Sequence, residues 1–249
     1  MMEYDDYVFD NGKDSLAEIY KVVLSRVRKQ LVVDYIYHTC RLEGSMLPLH
    51  VARRILSRKS VDGHFFKKYR PNDILLAQQT IRAMKFIYRM VSNPTYEITE
   101  ADIRHIHFLI SENIVKAPEE YRTPVDAAEI SSQMKELVNY INSIERKLAV
   151  EHAALVHYRI LQNQPFEKFN ISVALLLMNL ILIKHGYPFT MINSDDKKEY
   201  FEALDKKDSI YFLQFITKCV LDTSRGILAR IKGCLIPTPT PLRRSKASI

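Results

Sequence analysis

Residues 164–175 read as a loop entering a helix, a place where backbone N–H groups can gather around an anion. The side chains available there are limited in what they can do. Gln164 can hydrogen-bond but does not titrate near neutral pH, so it cannot act as a general base. Lys168 carries a fixed positive charge and offers no oxygen ligand to a hard cation. Phe169 and Ile171 are poor residues for a phosphate-cradling loop: a β-branched residue resists positive φ, and a phenyl ring fills space. Ser172 and Leu175 supply no bidentate donor for a phosphate.

The frame around these residues is nonetheless distinctive. Ala153-Ala154-Leu155-Val156-His157-Tyr158 precedes Gln164-Pro165-Phe166-Glu167-Lys168-Phe169-Asn170, and Leu176-Leu177-Met178-Asn179-Leu180 follows, closed by Gly186-Tyr187-Pro188. This run resembles the Fic (Fido) domain family, most of all the Fic domain of animal endoplasmic-reticulum protein adenylyltransferases. There the centre reads His-Pro-Phe-x-Asp-Gly-Asn-Gly-Arg-x-x-Arg, and only Pro165, Phe166 and Asn170 keep it. The resemblance implies AMP transfer (AMPylation) from ATP with Mg²⁺. It places Gln164 at the family's base and Lys168 at the metal-binding acid. Phe169 and Ile171 fall at its glycines, and Ser172 and Leu175 at its phosphate-clamping arginines. No metal and no cofactor are therefore expected.

Two further segments extend the resemblance. Thr39, Glu43 and Gly44 match the inhibitory helix of the family, near residues 35–46, whose Glu reaches the second arginine; Leu175 occupies that place here. An ion pair of Glu43 with Lys168, with Arg41 as an exposed alternative, is the expected replacement. Tyr121-Arg122-Thr123-Pro124-Val125 resembles the start of the flap that lays a target over the site, shortened here, with 124–130 the one candidate strand.

Taken without the resemblance, each segment has a plainer reading. The run 173–183 is ordinary helical core, 164–170 is any inter-helix loop, and His157 is a satisfied core histidine. His105 and His107, two apart on a helix, point to different faces and make a poor metal pair. Three functions follow. The preferred one is a Fic-like pseudoenzyme that acts by binding, to a Fic homologue or as a self-dimer. The second is a divergent enzyme with weak or altered AMP transfer, using Lys168 and Glu43. Nucleic-acid binding through the basic end ranks third, because aromatic interleaving is absent there.

The chain has 249 residues, 47% of them hydrophobic, enough for one sizeable core. Its formal charge of +7 is concentrated after Asp222, where Arg225, Arg230, Lys232, Arg243, Arg244 and Lys246 meet no acid. Cys40, Cys219 and Cys234 are too few and too scattered for a disulfide framework or a zinc site. The acidic start is unlike a signal peptide, and no apolar run is long enough to span a bilayer. A cytoplasmic address is expected, while the resemblance points to the endoplasmic reticulum.

The positioning elements are helices, so the expected fold is all-α and Fic-like with a short flap in place of the β-hairpin. A capping box at Ser15 opens a long helix toward Tyr37, and Asn72 and Thr99 are candidate caps for helices at 73–91 and 100–113. Other helices are expected at 48–58, 133–147, 150–162, 171–185, 197–205 and 210–231, with Gly186 ending the fourth of these. The domain should run over 1–233. Residues 234–249, with prolines at 237, 239 and 241, should form a disordered tail.

Overall fold

The computed structural model describes residues 15–57, 63–122, 127–143, 149–206 and 208–235. They form α1 (Ser15–Leu42), α2 (Leu49–Ser57), α3 (Gly63–Phe66), α4 (Pro71–Val91) and α5 (Glu100–Ser111). Then follow α6 (Ala127–Asn142), α7 (Ala149–Asn163), α8 (Asn170–Lys184), a 3₁₀ turn (Ser194–Asp196), α9 (Lys197–Asp205) and α10 (Ser209–Leu235). Among the described residues there is no strand. The expected strand at 124–130 is therefore overturned for Ala127–Ile130, which begin α6, while 124–126 lie outside the described residues. The N-terminal segment before Ser15 and the Pro-rich tail from residue 236 also lie outside them.

α8 is the axis of the molecule. Every residue from Ser172 to Leu182 is buried, and the helix packs on α7, α4, α5 and α1. A helix apolar on all sides must be enclosed, and burying each Leu or Ile contributes about 1.5–3 kcal/mol. Asn179, the polar break in this run, is satisfied: its amide donates to the Leu175 and Thr190 carbonyls and accepts the Thr190 N–H at 2.6 Å. It ties the segment after α8 back onto that helix.

Local signals set the helix ends. Thr99 caps α5 in a capping box, accepting the Asp102 N–H while Asp102 accepts the Thr99 N–H. α4 departs from expectation. It starts at Pro71 with Arg70 in the cap position and no side-chain cap, so Asn72 is already inside the helix. Proline presets the first turn and holds Arg70 extended (ψ 128°), which outweighs the asparagine. α1 continues past Tyr37 to Leu42, so the inhibitory-type segment is its last two turns with the turn that follows, Glu43 and Gly44 lying just past the helix end. Gly44 ends it at φ 87°, with Ser45 N–H donating to the Cys40 carbonyl. α10 runs to Leu235, two residues past the expected domain boundary.

Candidate functional site

The motif loop joins α7 to α8, and its surviving residues shape it. Asn170 donates from Nδ2 to the Phe166 carbonyl (2.7 Å) and accepts the Phe166 N–H (3.1 Å), closing the loop on itself. Phe166 is buried and stacks on the His107 ring, with centroids 3.8 Å apart and planes 1° from parallel. His107 Nδ1 lies 2.6 Å from the Pro118 carbonyl and Nε2 lies 3.0 Å from the Lys168 carbonyl, so it joins α5, the segment after it and the loop. Burial holds the His107 pKa below the usual histidine range.

The opening of the expected flap crosses the same loop. Arg122 N–H donates to the Pro165 carbonyl at 2.8 Å, and its guanidinium donates to the Gln164 carbonyl (2.5 Å) and that of Asn163 (3.3 Å). A cation on the last carbonyls of α7 is favoured by the helix dipole. Thr123, the other flap residue, lies outside the described residues.

Phe169 takes φ 63°, ψ 22°, directly before α8. The left-handed bend that suits glycine is therefore kept with a phenyl side chain on it, at about 1–2 kcal/mol of backbone strain. The ring packs half-buried against the core. Ile171, at the other glycine position, is inside α8 and needs no positive φ.

Glu43 lies against the start of α8. Its Oε1 accepts the Ser172 N–H at 2.7 Å and the Ser172 hydroxyl at 2.8 Å, where α8 presents unpaired N–H groups and its positive pole. Burial pushes its pKa up to about 7, opposed by the two Ser172 bonds and by the Lys197 charge. The expected ion pair is overturned: Glu43 is bonded to Ser172, and Lys168 is exposed, with no salt bridge to Glu43. A helix N-terminus one residue away offers a buried carboxylate two directed hydrogen bonds, without immobilising a long solvated lysine. Arg41 instead donates to the Ser45 carbonyl. Thr39 is buried one turn before Glu43.

The structure thus gathers Thr39, Glu43, Gly44, Asn170 and Ser172 at the contact of α1 with α8, and Arg122 and Gln164 on the other side of the loop. Leu175 is fully buried in the core, and Gln164 and Lys168 are exposed. Sequence reasoning missed His107, the support under Phe166, and Ser172 as the partner of Glu43. It noted that His105 and His107 face apart, which holds: His105 packs on Phe86 and Phe108. His157 is the core histidine expected, 2.8 Å from the Tyr200 hydroxyl and held neutral by burial, its pKa down to about 3.

The sequence pattern of the Fic/DOC family matches residues 97–182, the stretch that contains α5 to α7, the loop and most of α8. Over that stretch the chain is similar to the Fic/DOC family. It is 28% identical over 228 residues to a protein adenylyltransferase Fic from Aedes aegypti, covering 84% of this chain and 45% of the mosquito protein. A protein of the same name from Nematostella vectensis is 26% identical over 247 residues, covering 88% of this chain and 55% of that one. The chain thus spans about half the length of these relatives. Among solved structures, a Fic-domain signaling protein from Bacteroides thetaiotaomicron superposes with a TM-score of 0.75 at 22% identity, covering 89% of this chain and 98% of that one. Fic-1 from C. elegans (residues 134–508) gives 0.76 at 23%, covering 88% and 72%. The fold is all-α and Fic-like. No helix among the described residues is long and apolar enough to cross a membrane.

Proposed function

We propose that this Fic domain is a pseudoenzyme, without AMP transfer, that works by binding a protein partner, either a Fic homologue or a second copy of itself. One observation carries the reading: the Glu43 carboxylate sits on the Ser172 N–H at the head of α8, the kind of position a phosphate would need. Around it the residues that build the loop remain, in Pro165, Phe166 and Asn170, and those that would do chemistry do not. Gln164 does not titrate. The residues present also fit ATP and Mg²⁺ poorly, with a lysine at 168 where a metal needs an acid and a buried leucine at 175 where phosphate needs an arginine.

A divergent enzyme is the second reading, favoured by the pKa of Glu43 near 7, which suits a general base. Its burial and its two bonds to Ser172 argue that the group is structural instead. Calorimetry with ATP, with and without Mg²⁺, together with AMP labelling of the protein itself and of a chaperone, separates the two. No micromolar binding and no labelling are expected, and Gln164→His alone restores neither. Labelling by the wild type that Gln164→Ala or Glu43→Ala abolishes would establish the enzyme.

A further inference from the structure

The far half of α10 shows an exposed apolar line that the fold does not use. Leu221, Leu228 and Leu235 are seven residues apart, hence on one face of the helix, and are 49%, 58% and 43% exposed. Beside this line Lys232 is exposed with no ion pair among the described residues, and Arg225 is exposed beside Asp222. After Asp222 the sequence contains no acid, and residues 236–249 add Arg243, Arg244 and Lys246.

α1 packs against α10 and is tied to it by the Arg230–Asp34 ion pair at 2.5 Å. It carries the same chemistry. Residues 21–33 contain no acid; Lys21, Arg26 and Lys29 are exposed there and share a side of the helix with the exposed Val22 (67%).

We infer that this α1–α10 face docks on an anionic lipid surface, lying along it without crossing it. Aliphatic side chains on a helix face, set among lysine and arginine, enter the headgroup boundary while the cations meet the lipid phosphates. The leucines stand in a line on one helix among exposed cations, which suits an anionic planar surface, whereas pairing with a second copy of the same basic face would set those cations against their like. A nucleic acid would use the cations but has no place for exposed leucines, and none of the exposed large hydrophobics on α1 or α10 is aromatic. The face is separate from the Glu43 site, so the inference stands whatever the motif loop does.

Co-sedimentation with vesicles tests it, using phosphatidylcholine alone and phosphatidylcholine with about a third phosphatidylserine. The intact chain should bind the anionic vesicles only, and less as salt is raised. Leu228→Glu should lower the partition about tenfold or more, and Lys21→Glu with Lys29→Glu should also lower it. All three positions are exposed, and unchanged thermal melting would show that the variants fold. Failure to bind anionic vesicles overturns the inference, as does binding undiminished by Leu228→Glu. Retention on a duplex oligonucleotide without retention on vesicles overturns it too.

Discussion

Glu43 is a carboxyl held where its charged form is disfavoured, and two donors of one serine offset part of that penalty. Ser172→Ala removes the hydroxyl and leaves the N–H, so a loss of about 1–3 kcal/mol is expected in denaturant unfolding. A double-mutant cycle of Glu43→Ala with Ser172→Ala should show coupling, whereas Glu43→Ala with Lys168→Ala should be additive. The folded pKa of about 7 lies above the ordinary 4.5, so the folded chain keeps a proton that the unfolded chain has released. This contribution is fully present below pH 4.5 and is lost as pH rises through about 7. Measured against Glu43→Gln, which lacks the group, the wild type should lose on the order of 3 kcal/mol of stability between pH 4.5 and 8. A difference that stays flat with pH would contradict the burial argument. Sequence could place Glu43 at the site but not choose its partner. Lysine is the obvious countercharge in a residue list, while a serine N–H at a helix head becomes visible only once helix ends are placed in space.

At the scale of the element, the turn from α7 into α8 keeps its shape through residues that were readable in advance. Pro165, Phe166 and Asn170 stood out, and their work is the reciprocal bonding of Asn170 with Phe166 and the stack on His107. Asn170→Ala leaves a buried N–H and carbonyl unpaired, so it should lower stability by about 2 kcal/mol or more and raise hydrogen exchange across residues 164–170. Helices with strong periodicity or a clear cap were legible, as at Thr99 and Gly186. The start of α6 was not, because a short β-compatible stretch next to a resembling flap hides a helix that tertiary packing extends back to Ala127. His107 left no trace either. Nothing in a helix sequence says that one of two nearby histidines lies under a loop sixty residues away.

For the whole molecule, the enclosed α8 sets stability and the surrounding helices set access to it. Backbone amides from Val173 to Leu182 should be the slowest to exchange, opening only with global unfolding, and Leu175→Arg should be among the most destabilising substitutions, by about 3 kcal/mol or more. Measured exchange that is faster in α8 than in α2 would refute this ordering. The Asn170–Phe166 closure has one more consequence, for the engineer. Both bonds are between neutral groups, so the mould they make does not depend on which charges stand around it. Histidine at 164, aspartate at 168 and glycine at 169 could be grafted in any order onto a loop that holds its form, whereas arginines at the buried positions 172 and 175 of α8 would have to come last. The chain is therefore a blank on which the contribution of each part of a nucleotide-transfer site could be counted as it is installed, the reverse of dismantling a working enzyme.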